Sequence, residues 1–461
     1  MKTVWLIDAN SYQKEIHPKM LQLRKQFFSL KSRAKEEYFG HHIVPTGHSF
    51  SLGLLRIATI LNRNNINVKY FHLQDVSRMI NNGEFETCLT QDHPSFLGFS
   101  CVTPTVQTCN DIAVIAKITC GDLKTGLGGS HAIAAPQKTR NQLTAFDYLF
   151  CESETDIILL FEKIFGEKLS IPKFADEYVE YSLLPYSLDY YDLNIFTSIG
   201  CIQNCKYCLD NRRKPFMGNL DGGLTNLTTQ QLLSKNRMIH FFDSSLGYSY
   251  VRSLAVCDAI VASKHQYQLS CDLRADSITP ELVYMLVKAG FVEISIGAES
   301  GDDNVLQASQ KDAKCSDLIN ALKIVKENSN LYVSLYSLTG LPGTTSDTIH
   351  SSKDFFSYLL GSGLADEMKN ALFVPYPIDS FDYEKMGVYI FNQNWSDYDR
   401  QSYPVYNLNT MSAAEIWQDY LAITEYIVSS WAKKLGFSNL ENLPADRYPE
   451  TFASNYIGKE T

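Results

Sequence analysis

Apolar runs of strand length alternate with amphipathic stretches of helix length along most of the chain, in two successive series. In the first, Val4–Ile7, Val68–Phe71, Phe96–Ser100 and Tyr148–Phe150 read as strands, and Leu52–Leu61, Asn110–Ile118 and Asp156–Phe165 as helices. Parallel strands need a long crossover between them, and a helix supplies it, so the alternation predicts a doubly wound α/β sheet. Ligands of such sheets sit beyond the carboxyl ends of the strands.

The second series has strand-like runs at Leu193–Thr197, Met238–Asp243, Gln268–Cys271, Phe291–Ile296, Leu331–Leu338 and Lys369–Val374. Helical stretches such as Thr279–Lys288, Ser316–Glu327 and Thr345–Leu360 lie between them. Six βα units of this kind predict a partial (β/α)6 TIM-like barrel, with its site in the loops after the strands. Gly166–Tyr191, with Pro172 and Pro185, reads as a linker, and Ala413–Leu435 as a helix. The expected division is therefore a Rossmann-like domain over 1–165, a linker over 166–191, the barrel over 192–380 and a mainly helical extension over 381–461.

At 461 residues, 45% hydrophobic and 20% charged, the composition suits two or three globular cores. The apolar start is interrupted by Asp8, which favours a first strand over a signal peptide. No apolar run approaches the ~18 residues of a membrane span, so a soluble cytoplasmic protein with no membrane partner is expected. A net charge of −10 argues against a nucleic-acid partner, which calls for basic surface. The eleven cysteines are expected to be reduced in that compartment, so a close group of them points to metal rather than to disulfides.

There is one such group. Cys201, Cys205 and Cys208 follow the first strand of the second series with the spacing C-x3-C-x2-C. Thiolates on so short a loop converge on one soft metal centre. Three ligands leave one position of a cluster open, whereas zinc sites more often show paired C-x2-C knuckles or a nearby histidine.

This motif, with Tyr207 before its last cysteine, resembles the radical S-adenosylmethionine (SAM) superfamily, which implies a 4Fe–4S cluster whose open iron binds SAM. The resemblance extends over about 193–380. Asp243, Ser244 and Ser245 end the second strand where the family contacts the SAM amino group, and Arg274 with Asp276 resembles an R-x-D stretch. Ala289–Gly301 matches a run in which Gly297, Glu299 and Ser300 face SAM, the last two its ribose and methionine portions. Gly340 and Pro342 lie in a G-L-P-G turn, and Val374 and Pro375 in a segment whose backbone flanks adenine. Ile378, Asp379 and Ser380 stand where the pattern usually continues with Gly-Thr.

The first half resembles the cobalamin (B12)-binding domain carried by some members of that superfamily. Pro45, Thr46, Gly47 and Ser49 precede the Leu52–Leu61 helix; Ser100, Val102 and Thr103 end a strand; Gly128, Gly129, Ser130 and His131 form a glycine turn; Glu152 and Ser153 close the series. These positions are the implied cobalamin contacts. Small residues after strands let a ligand approach the backbone. The Asp-x-His-x-x-Gly motif of classical B12 methyltransferases is absent, and turn capping is the favoured reading of His131 over cobalt ligation.

Together the resemblances imply a cobalamin-dependent radical SAM enzyme, foremost a C-methyltransferase acting through a 5′-deoxyadenosyl radical on an unactivated carbon of a small-molecule or secondary-metabolite substrate. A peptide substrate remains a second possibility, and the one-electron reductant is expected to be of flavodoxin or ferredoxin type. The alternatives are a radical cyclase, oxidase or rearrangement enzyme without methyl transfer, and a non-catalytic iron–sulfur sensor. No catalytic acid or base is assigned; Tyr376, Asp379, Trp395, Tyr398 and Arg400 are candidates for lining the cavity, with packing the favoured reading.

Overall fold

The structure is a computed structural model that describes residues 2–10, 16–40, 48–151, 154–170, 179–210, 216–218, 220–234, 237–246 and 249–438. Pro45, Thr46, Gly47, Glu152 and Ser153 lie outside the described residues.

Strands β1 (Thr3–Ala9), β2 (Asn67–His72), β3 (Phe96–Cys101), β4 (Lys124–Gly128) and β5 (Tyr148–Leu149) form one parallel sheet in the order β2-β1-β3-β4-β5. The helices of this part of the chain are α1 (Pro18–Phe39), α2 (Leu52–Arg63), α3 (Leu73–Asn81), α4 (Phe85–Asp92), α5 (Val106–Thr119), α6 (Ser130–Ala134), α7 (Pro136–Gln142) and α8 (Glu154–Phe165). Every residue of β1 is buried, as expected for a central strand covered on both faces.

The second sheet is also parallel and runs in chain order. Its strands are β6 (Leu193–Ile195), then, after the short antiparallel pair β7 (Ser198–Ile199) and β8 (Phe216–Met217), β9 (Ile239–Phe241), β10 (Leu269–Leu273), β11 (Phe291–Glu299), β12 (Tyr332–Thr339) and β13 (Glu367–Leu372). Helices α9 (Leu220–Ser234), α10 (Tyr250–Ala262), α11 (Pro280–Ala289), α12 (Asp303–Ala308), α13 (Cys315–Asn328) and α14 (Ser346–Gly361) connect them. Six parallel strands in sequential order, with β6 and β13 left as free edges, make the expected open barrel.

The described residues beyond 380 are not all helical. A two-stranded antiparallel sheet, β14 (Val388–Ile390) with β15 (Tyr406–Leu408), precedes the single long helix α15 (Ala413–Lys434). Three-residue strands carry too short an alternation to register as a sequence pattern.

Helix α1 was not anticipated. It packs Leu30 and Ala34 against Val428, Trp431 and Ala432 of α15, and its other face turns to the barrel. On β11, alternation sends Ile294 and Ile296 outward to α13 and turns Glu293, Ser295, Gly297 and Glu299 inward. At the amino ends of the strands, Lys31 of α1 stands 3.3 Å from Glu367, Lys369 stands 3.4 Å from the same carboxylate, and Lys35 pairs with Glu293. Helix α1 thus closes the barrel floor with buried lysines.

Candidate SAM and cobalamin sites

The cysteine loop leaves β6 and is held from both sides. On one side the Cys201 N–H donates to the Asp210 carbonyl at 3.2 Å, and Asp210 accepts from the Ser244 hydroxyl at 2.8 Å. On the other, the Lys206 N–H donates to the Ser309 carbonyl at 3.0 Å and Asn204 to Gln310 at 3.1 Å. Cys205 is buried, and Cys201 and Cys208 are half-buried. Burial first, with neighbouring charges second, pushes the Cys208 thiol up to about 12 and raises that of Cys201. Thiolates so placed call for a cation to compensate them, and the donor set fits an iron–sulfur cluster with one open iron. No three His, Cys, Asp or Glu side chains among the described residues converge tightly enough for a single metal ion. A multi-iron cluster spans more than one ion does.

Facing the loop is Glu299, the last residue of β11, at φ +60°. Its Oε1 accepts from the Tyr207 hydroxyl at 3.3 Å and from Lys311 Nζ at 3.0 Å, and Lys311 also donates to the Gly297 carbonyl at 2.7 Å. A Cβ on Gly297 would meet Glu299 Oε1 and stand 2.9 Å from Lys311 Nζ, so any larger residue there would displace the ends of these two side chains. Among the described residues Glu299 Oε2 has no donor, which leaves it to accept from a bound ligand. Lys311 was missed in the sequence; a basic residue twelve positions after Glu299, beyond the short helix α12, belongs to none of the quoted motifs. Arg274 is held by Asp276 and the Asp312 carbonyl, at 2.8 and 3.1 Å, and lies in the field of Cys205 and Tyr207.

Other expected SAM residues are turned inward. Asp243 is 1% exposed; its carboxylate accepts from Thr197 N at 2.7 Å, Thr197 Oγ1 at 2.8 Å and the Ser198 hydroxyl, so it braces the start of the cysteine loop. Ser245 and Ser300 are buried, and Ser300 bonds the Ser352 hydroxyl at 3.2 Å. Ser300 and Glu299 border a small cavity of mixed lining, with Thr339, Thr348 and Asn370 on its polar side and Leu338, Phe356 and Ile423 on its apolar side. Gly340 accepts the Tyr406 hydroxyl at 2.8 Å, which ties the G-L-P-G turn and its buried Pro342 to β15. Val374 and Pro375 are buried after β13.

At the carboxyl ends of β1, β3 and β4, Asn10, Ser100, Val102, Gly129 and Ser130 are half-buried, and Gly128 and Thr103 buried. Asp8 organises this edge, accepting from Ser51 N at 2.6 Å and the Tyr70 hydroxyl at 2.7 Å. Ser49 is exposed just before α2. Gly129 has φ +93°, and a Cβ there would overlap the Cys101 backbone, so only glycine lets the turn lie flat against β3. A shelf of small polar residues at this edge fits a broad, flat cofactor.

His131 does not face the shelf. It is 1% exposed, bonded through Nδ1 to Thr103 and through Nε2 to Thr139, both at 3.1 Å, and packed against Trp395 at 4.6 Å. Burial holds it down at about 4, so the ring is neutral, and its two threonine partners suit the turn-capping role. Of the five cavity candidates, Trp395 and Tyr398 are core residues and Asp379 bonds to the α7 backbone. Tyr376 is half-buried and Arg400 exposed, and the charges of Tyr376, Cys208 and Glu299 act on the Arg400 guanidinium.

No protein-family model and no curated protein matches the chain. Among solved structures, the fold is similar to that of the radical SAM methyltransferase TsrM from Kitasatospora setae, solved with cobalamin and a 4Fe–4S cluster bound, at 14% identity and TM-score 0.59 over 87% of this chain and 82% of that one. A structure of TsrM with tryptophan substrate and a SAM analogue gives 15% identity and TM-score 0.65 over 99% of this chain and 96% of that one. The cobalamin-dependent SAM radical enzyme OxsB, with aqua-cobalamin and SAM bound, gives 17% identity and TM-score 0.55 over 93% of this chain and 56% of that one. These likenesses show the fold: a Rossmann-like domain joined to a partial (β/α)6 barrel. No helix among the described residues is long and apolar enough to cross a membrane.

Proposed function

We propose that the chain is a cobalamin-dependent radical SAM enzyme, foremost a C-methyltransferase acting on an unactivated carbon of a small molecule. The observation that carries this is the Tyr207–Glu299–Lys311 group, which fastens the loop carrying Cys201, Cys205 and Cys208 to the end of β11, in a chain that also holds a Rossmann-like sheet with a glycine-rich shelf. When bound, the cluster supplies the electron that cleaves SAM, and cobalamin carries the methyl group.

The chain's own residues bind and orient. Glu299 Oε2 accepts an N–H or O–H of SAM, and Lys311 holds the carboxylate rigid while its positive charge favours the SAM carboxylate nearby. Tyr207, whose hydroxyl burial and Glu299 push well above its ordinary value, stays protonated and donates to Glu299. Arg274 sets positive charge beside the cysteine loop. Tryptophan as the substrate bound to TsrM supports a small molecule here. The proposed reductant is an external one-electron carrier of flavodoxin or ferredoxin type.

The test is anaerobic reconstitution with iron, sulfide and hydroxocobalamin, reduction, and product analysis with candidate small molecules. Methyl transfer yields S-adenosylhomocysteine and 5′-deoxyadenosine in matched amounts with a methylated product. Deoxyadenosine alone would remove methyl transfer and leave a radical cyclase, oxidase or rearrangement enzyme.

A further inference from the structure

The loop after β13 and the segment after the glycine turn are tied by four hydrogen bonds. The Asp379 carboxylate accepts from Gln137 N at 2.7 Å and Lys138 N at 3.3 Å; Asp379 N donates to the Ala134 carbonyl at 3.1 Å, and Lys138 Nζ to the Ile378 carbonyl at 3.0 Å. Gln137 and Lys138 open helix α7, whose first N–H groups have no partner within the helix, and a carboxylate is well suited to satisfy them. Asp379 thus caps a helix that belongs to the other sheet.

What the clasp joins gives it meaning. Its barrel end follows Val374 and Pro375 directly. Its other end follows Gly129, Ser130 and His131, and His131 bonds Thr139 within α7. Trp395 packs on His131 from the same side. The segment carrying the shelf is therefore fastened to the loop after β13 by four hydrogen bonds, two of them accepted by the Asp379 carboxylate, at a position where the family pattern usually continues with Gly-Thr.

We infer that Asp379 is a positioning residue that sets the separation between the cobalamin shelf and the cluster mouth, by fastening the start of α7 to the loop after the last barrel strand. The inference rests on the cobalamin-dependent reading above. It needs no proton transfer by Asp379, since both carboxylate oxygens accept backbone N–H groups.

The test compares the reconstituted holoenzyme with Asp379→Asn and Asp379→Ala. Hydrogen exchange of peptides spanning 130–143 is expected to accelerate roughly tenfold in Asp379→Ala and less in Asp379→Asn, which keeps one acceptor. The dipolar EPR distance distribution between the reduced cluster and cobalt(II) is expected to broaden in the same order, with cluster content and SAM affinity unchanged. Accelerated exchange with an unaltered distance distribution would reduce Asp379 to a local cap and overturn the inference. Unchanged exchange in Asp379→Ala would show that the clasp itself is absent. No cobalt signal in the wild type would remove the cobalamin reading, and the positioning role with it, while the exchange data still report on the clasp.

Discussion

The Tyr207 hydroxyl stands 3.3 Å from Oε1 of Glu299, joining the cysteine loop to the end of β11. Lys311 holds the same oxygen at 3.0 Å, so a residue inside the cysteine motif and one on the barrel share a single carboxylate atom. Glu299→Gln keeps the shape but removes the charge that fixes Lys311. SAM affinity is expected to fall by about tenfold or more, a loss of about 1.4 kcal/mol. Equilibrium SAM binding to the reconstituted variant checks this, with the iron content expected to stay at the wild-type level.

Cys205 is the most buried cysteine of its loop, at 7% exposure. Cys205→Ala is expected to abolish the brown iron–sulfur absorbance and all reductive SAM cleavage. A variant that still cleaved SAM would show that the cluster lies elsewhere.

The floor of the barrel gives a graded prediction. Glu367→Gln leaves Lys31 and Lys369 facing each other with no carboxylate between them, whereas Lys31→Met leaves Glu367 paired with Lys369. Breaking a buried pair so that a charge is stranded costs roughly 3–5 kcal/mol, so Glu367→Gln should lie in that range and Lys31→Met below it, measured by denaturant unfolding. Burial, outweighing the attraction of Glu367, holds the Lys31 ammonium down at about 7 against its ordinary 10.5. Between those pH values the unfolded chain binds more protons, so this lysine makes stability rise with pH over that interval. Lys31→Met should flatten the rise.

His131 supplies the acid counterpart. Burial lowers it from 6.5 to about 4, so it unfolds to a form that takes up a proton more readily. Its contribution is fully present above 6.5 and is lost as the pH falls toward 4, to an extent on the order of 3 kcal/mol. Melting temperatures across that interval should fall less steeply for His131→Gln than for the wild type. Parallel slopes for the two proteins would contradict the burial of a neutral ring.

The two parallel sheets were legible because their strands are apolar runs that need no partner to be recognised, and the cysteine spacing announces itself. Helix α1 was not, for a physical reason. Its apolar stripe of Met20, Leu23, Leu30 and Ala34 is flanked by Ser29, Lys31, Ser32 and Lys35, which are buried too, so the polar face that sequence would leave to solvent is covered. Asp243 shows a different limit. A polar residue at the end of a barrel strand can meet a ligand or brace a loop, and only the positions of Thr197 and Ser198 decide for the brace. Lys311 lay beyond the quoted motifs, and its role emerges only when α12 turns it back onto Glu299.

The lysines of α1 also govern how this chain can be taken apart. A fragment beginning near residue 192 would carry the cysteines and all six barrel strands, yet Glu293 and Glu367 would lose Lys35 and Lys31 and open to water from below. Excision at the apparent linker would thus yield a domain with a breached base. Engineering that swaps catalytic halves between chains of this architecture has to move the first forty residues together with the barrel they seal.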